Sequence, residues 1–105
     1  MKINDEKLKE LQKTNPDVVV VAPRSGEEIA VKPPSEAVYM KWQTTGKAGT
    51  AEAWVATRSL LFDCLVFPDK TTVDATLEKR PGLLQVYVKQ LTKLAGAEEE
   101  VEVRK

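Results

Sequence analysis

Six prolines, Pro16, Pro23, Pro33, Pro34, Pro68 and Pro81, cut the chain into short segments. Proline lacks a backbone N–H and disfavours helix at the residue before it, so helices and inner strands must fit between these points. The first segment, Asp5 to Thr14, places Leu8 and Leu11 on one side of an otherwise charged helix that stops at Asn15-Pro16. So narrow a stripe docks weakly. Asp17-Val18-Val19-Val20-Val21-Ala22 is a β-branched run without helical polarity. Pro23-Arg24-Ser25-Gly26-Glu27 and the alternating Glu28-Ile29-Ala30-Val31-Lys32 follow it, which is the pattern of a β-hairpin with a glycine-containing turn. Pro33-Pro34 ends the second strand, and Ser35 is placed to cap a helix running through Glu36 to Trp42.

Beyond the loop-like Thr44-Thr45-Gly46-Lys47-Ala48-Gly49, Thr50 with Glu52 opens the longest expected helix, reaching Phe67 before Pro68. At 100° per residue Ala51, Trp54, Val55, Leu61, Phe62, Leu65 and Val66 share one arc. Ala53, Ala56, Leu60, Cys64 and Phe67 share the other, leaving Glu52, Ser59 and Asp63 as a thin polar strip. A helix apolar on two sides is either central to the fold or part of a homo-oligomer. Pro68-Asp69-Lys70 is a turn, Thr71 or Thr72 is expected to cap a short helix through Val73 and Leu77, and Arg80-Pro81-Gly82 breaks it. In the last helix Leu83, Leu84, Tyr87, Val88, Leu91, Leu94 and Ala95 share a side, and Gly96 suits its C-terminal cap. The expected fold is α+β: an N-terminal β-hairpin followed by a small bundle of three to four helices. Residues 1–15 form a helical arm in this reading, residues 16–96 a single α+β domain, and residues 97–105 a charged, mobile tail.

The chemistry that composition excludes is broad. The 105 residues hold no His, which removes Ser-His-Asp and Cys-His nucleophile systems and every His-containing metal site. The lone Cys64 lies inside an apolar run and reads as a small buried hydrophobe. No catalytic, cofactor-binding or metal-ligating set emerges, and an enzyme is not expected. Sixteen Lys and Arg balance sixteen Asp and Glu. At an isoelectric point near 6.3 the chain lacks the basic footprint of a nucleic-acid binder. The N-terminus has no signal-peptide core, and no apolar stretch approaches the roughly 18 residues of a membrane span. The chain is therefore expected to be intracellular, with no nucleic-acid and no membrane partner.

Four side chains stand out as candidates for partner binding. Tyr39 and Trp42 lie three apart on the helix after the hairpin, the spacing that sets two rings side by side; core anchoring is the plain reading and an interface patch the functional one. Arg58 falls in the middle of the arc of Trp54, Leu61, Phe62 and Leu65, where an unpaired charge is costly. An ion pair within the chain, or a guanidinium reaching water along Trp54, satisfies it before a partner need be invoked.

The order of elements resembles that of small phage tail assembly chaperones. The resemblance is carried by the hairpin with Val18-Val19-Val20-Val21 and Glu28-Ile29-Ala30-Val31-Lys32-Pro33, the helix after the prolines, and Leu60-Leu61-Phe62-Asp63-Cys64-Leu65-Val66-Phe67-Pro68-Asp69. It continues in Leu77-Glu78-Lys79-Arg80-Pro81-Gly82-Leu83 and ends at Leu94-Ala95-Gly96. The resemblance implies a protein of the host cytoplasm that binds the aggregation-prone tape measure protein, helps bring tail tube protein to it, and is absent from the finished virion. It also implies a longer frameshifted product in many such families, extending from the polar tail after Gly96. Tyr39, Trp42, Trp54 and Arg58 are the residues expected to meet the partner. The alternative is a minor structural tail or head-to-tail connector protein whose hairpin edge joins a neighbouring sheet, motivated by the Val18 to Val21 run. A small ligand-binding domain or enzyme is a third reading, which the missing His and glycine-rich loop oppose.

Overall fold

The computed structural model describes residues 2–45, 49–97 and 101–104. Of the expected loop, Gly46, Lys47 and Ala48 lie outside the described residues, as do Glu98, Glu99, Glu100 and Lys105 of the expected tail. Among the described residues five helices and three short strands follow in the order α1 (Asp5–Thr14), β1 (Val19–Val21), β2 (Ile29–Val31), α2 (Glu36–Thr44), α3 (Ala51–Cys64), β3 (Leu65–Phe67), α4 (Lys70–Lys79) and α5 (Leu83–Leu94). The architecture is α+β, with an N-terminal hairpin and helices packed on it.

Local chemistry sets most of these boundaries. Asn4 Oδ1 accepts the Lys7 N–H at 2.8 Å and opens α1, which buries no residue fully, as its two-leucine stripe leads one to expect. The hairpin turn closes with the Gly26 N–H donating to the Pro23 carbonyl at 2.9 Å, and Gly26 sits at φ 85°, a left-handed conformation in which a side chain would be strained. Ser35 caps α2 and Thr50 caps α3 through their hydroxyls, both as the sequence suggests. At the end of α5 the Ala97 N–H donates to the Thr92 carbonyl and the Gly96 N–H to the Lys93 carbonyl, each at 3.0 Å, with Gly96 at φ 87°. This pair of reversed bonds is the glycine cap anticipated there.

Two expectations are corrected. The long helix stops at Cys64, and Leu65-Val66-Phe67 forms a third strand antiparallel to β2, giving a sheet of order β1-β2-β3. Proline at position 68 turns Phe67 away from helix, and the open edge of β2 offers this apolar triplet, with its β-branched Val66 and aromatic Phe67, a ladder. The Lys32 N–H donates to the Cys64 carbonyl at 2.9 Å where helix gives way to strand. Three residues of β3 then oppose two of β2, Val31 pairing with Leu65 and Ala30 with Phe67, so a bulge sits between them. The second correction is the cap of α4. Asp69, not Thr71 or Thr72, accepts the Thr72 N–H at 2.8 Å. A charged oxygen at a helix N-terminus gains from the backbone dipole as well as from the bond. Hydrogen bonds from Thr72, its hydroxyl first and its backbone second, hold the Asp69 carboxyl below the usual carboxylate range. Stability from this cap is therefore present above the unfolded carboxylate value and is lost as pH falls through the lowered one.

One continuous core joins the hairpin to the helices. Val21, Ile29 and Val31 pack with Leu60, Leu61 and Cys64 of α3, Val73 and Leu77 of α4, and Leu84, Tyr87, Val88 and Leu91 of α5. The buried residues of α3, Ala56, Leu60, Leu61 and Cys64, form one stripe that straddles the two arcs drawn on the sequence. Trp54 and Val55 are left outside it, 41% and 65% exposed. The Tyr87 hydroxyl donates to the Glu27 carbonyl at 2.6 Å, fixing α5 to the hairpin turn across 60 residues of chain. Ala30 is also fully buried, on the sheet face opposite Ile29 and Val31. On that side Lys7 of α1 lies 4.5 Å from the centre of the Phe67 ring, and the Ile3 N–H donates to Glu28 Oε1 at 2.8 Å, so α1 lies over the sheet's outer face.

Candidate functional site

The site begins with how α2 is held. Trp42 turns its indole N–H into α3, donating to Thr57 Oγ1 at 3.0 Å, while the Thr57 hydroxyl donates back along its own helix to the Ala53 carbonyl at 2.8 Å. Tyr39 meets Trp42 edge to face, ring centres 5.7 Å apart, as the three-residue spacing foretells. These contacts tie the two helices at one side of their crossing. On the other side they diverge and leave an open groove of about 400 Å³. Val38 and Trp42 of α2 face Ala51, Val55, Ala56 and Leu60 of α3 across it, and Lys41, Glu52 and Asp63 stand among its polar residues.

The groove answers two patterns in the sequence. Val38 and Trp42 are four apart on α2; Ala51 and Val55 are four apart on α3, with Ser59 continuing the row. Each row alone resembles an ordinary core stripe. Only the crossing of the helices shows that the rows face each other without closing. Met40, 55% exposed on α2, adds a further apolar side chain to the surface of this helix pair.

The four expected partner-binding residues are divided by the structure. Tyr39 and Trp42 stand together, with Trp42 in the groove wall and half-buried. Trp54 lies on a different side of α3 and lines a second, more polar recess with Trp42, Gln43, Thr57 and Gln85. Arg58 points away from both: its guanidinium pairs with Asp74 of α4 and lies 5.6 Å from the centre of the Phe62 ring. The ion pair within the chain anticipated for Arg58 is present, and its stacking partner is Phe62 rather than Trp54. Val55 and Met40, exposed, and Val38, half-buried against the core, are the groove and helix-pair residues missing from that set of four.

Among the described residues no cluster of His, Cys, Asp or Glu side chains could hold a metal ion, and no helix is long and apolar enough to cross a membrane. Burial pushes the Cys64 thiol up to about 11, with the neighbouring Asp63 charge adding to the effect. A thiol so placed is inert at neutral pH. Burial likewise pushes Tyr87 up to about 12, with Glu27 second. Both groups are neutral in the fold, so the stability they contribute is whole below their unfolded values of about 9 and 10 and drains away as pH rises toward 11 and 12. The urea midpoint is expected to hold steady from neutral pH to about 9 and fall above it. Cys64 is expected to resist thiol reagents at pH 7 until the chain is unfolded. Fast labelling of the folded protein would contradict this placement.

Residues 25–104 match the model of a family described as a domain of unknown function, DUF6848. The chain belongs to the DUF6848 family. The match takes in β2, all four helices after it and β3, and so includes both walls of the groove. No curated protein matches this DUF6848 chain. Among solved structures it is similar to an uncharacterised protein, rbstp2171, from Bacillus stearothermophilus. The TM-score is 0.73 at 19% identity, over 92% of this chain and 99% of the other. That likeness is one of fold.

Proposed function

We propose that this DUF6848 chain is a tail assembly chaperone that binds a tape measure protein, keeps it soluble and helps bring tail tube protein to it in the host cytoplasm. The observation that carries the reading is the open groove between α2 and α3. A chaperone of this kind needs an apolar surface held in a fixed shape, and needs no nucleophile or metal. An apolar trough between two helices is the form that accepts one face of a third, amphipathic helix. A long, helical, aggregation-prone partner supplies many such faces. Glu52 and Asp63, two acidic groups against the one cation of Lys41 among the described residues around the trough, favour a partner helix with Lys or Arg flanking its apolar stripe.

Co-expression with a tape measure protein tests the proposal. The partner is expected to move from the pellet to the soluble fraction in the presence of this chain, and to be recovered with it. Mass spectrometry of purified particles is expected to find the partner and not this chain. A partner equally insoluble with and without the chain would overturn the reading, and stoichiometric incorporation in particles would replace it with a structural tail or connector role.

A further inference from the structure

A second surface, away from the groove, carries an inference that does not rest on the chaperone reading. Among the described residues strand β1 is an edge of the sheet, paired with β2 on one side only. Along its other side runs a shallow recess lined by five consecutive residues, Val19 to Pro23, and by Val86, Gln90 and Leu94 of α5. Alternate residues of a strand point to opposite faces, so lining by consecutive residues marks an open backbone edge rather than a face. Val86 and Leu94 are 42% and 37% exposed there. The edge thus has an apolar shelf beside it.

The tail offers a segment of matching pattern. Val101-Glu102-Val103-Arg104 alternates apolar and polar residues, the pattern of a strand with one face to bury. Arg104 Nε donates to Glu102 Oε1 at 3.2 Å, a contact between residues two apart, the spacing that places side chains on one side of a strand. Val101 and Val103 are 80% and 81% exposed. The family match runs to residue 104, so this segment lies within the DUF6848 pattern. The tail is also acidic, with Glu98, Glu99, Glu100 and Glu102, whereas Lys89 and Lys93 flank the Val86–Gln90–Leu94 row on α5.

We infer that Val101–Arg104 of one copy adds as a strand to the free edge of β1 in a second copy, its two valines lying on the shelf of Val86 and Leu94. Each copy carries one β1 edge and one tail, and Val101 and Val103 are left exposed in the single chain. Reciprocal exchange fills both edges and closes a two-fold dimer that exposes no further edge of this kind.

Sedimentation velocity of the full chain over a wide concentration range, with the V101D/V103D variant beside it, tests this. Both positions are exposed in the single chain, so the variant is expected to fold and melt as the parent does at low concentration. The parent is expected to pass from monomer to dimer, and the variant, which removes four valines from the two-fold dimer, to dimerise about ten-thousandfold more weakly, near tenfold for each valine. Hydrogen exchange at Val19, Val20 and Val21 is expected to slow with concentration in the parent alone. A parent that stays monomeric throughout would overturn the inference, as would a variant that dimerises equally well. Protection of β1 that depends on Val101 and Val103 but not on concentration would place the tail on its own chain, and would overturn the exchange.

Discussion

Replacing Tyr87 by alanine is expected to remove most of the margin by which this chain stays folded. The ring is fully buried among the hairpin and the helices, and its hydroxyl holds the Glu27 carbonyl. Truncating a buried aromatic costs about 3–5 kcal/mol, against a total of about 5–15 kcal/mol for a domain of this size. The melting temperature is then expected to fall by roughly 12 °C or more. Tyr87→Phe separates the two contributions. It keeps the ring and leaves the carbonyl without its donor, at a cost of about 1–3 kcal/mol. Urea unfolding of both variants, with an unchanged slope, checks the order. Equal losses for Tyr87→Phe and Tyr87→Ala would mean that the hydrogen bond, and not the packing, fastens α5 to the hairpin.

Val55→Asp is expected to do the opposite: to leave the fold alone and disable the groove. Val55 is 65% exposed in the chain by itself, so stability is expected to change by no more than about 0.5 kcal/mol. A partner helix lying in the groove would cover it. An aspartate there replaces apolar contact with a charge that must be desolvated, and adds to Glu52 and Asp63. Affinity for the proposed partner, a tape measure protein, is expected to fall at least about tenfold. Arg58→Ala, by contrast, breaks the contact with Asp74 on the far side of α3 and is expected to leave partner affinity unchanged. Titration of soluble complex by calorimetry distinguishes the two variants. Loss of binding in Arg58→Ala with none in Val55→Asp would move the interface to the α3–α4 side.

Local chemistry explains which parts of this architecture the sequence reveals. Asn15-Pro16, Ser35, Thr50 and Gly96 each act through neighbours a few residues away, and helix and strand boundaries appear where these residues place them. Leu65-Val66-Phe67 is different. As an apolar run it suits a buried helix or a strand equally, and the decision rests with β2, more than thirty residues earlier in the chain. Asp69 and the two threonines after it are all good caps, and only the emergence of the chain from β3 selects the first. At the site, the meeting of Tyr39 with Trp42 is written in their spacing. That Arg58 needs a partner is also legible, because its arc is apolar; that the partner is Asp74 depends on how α4 packs. The groove is the least visible feature. Val55 looks like a core residue until the helices pack and leave it exposed, while Val38 is half-buried against the core and still lines the groove.

The central claim, that the trough between α2 and α3 receives a helix of a partner, is tested most directly by crosslinking from within it. A photoreactive amino acid at Val55, with a control at the exposed Glu78 of α4, would be activated in cells that co-express the tape measure protein. Capture of that protein from Val55 and not from Glu78, with crosslinks mapping to one face of a helix, is the predicted result. A tape measure protein kept soluble by the chain yet captured from neither position, or equally from both, would contradict the account.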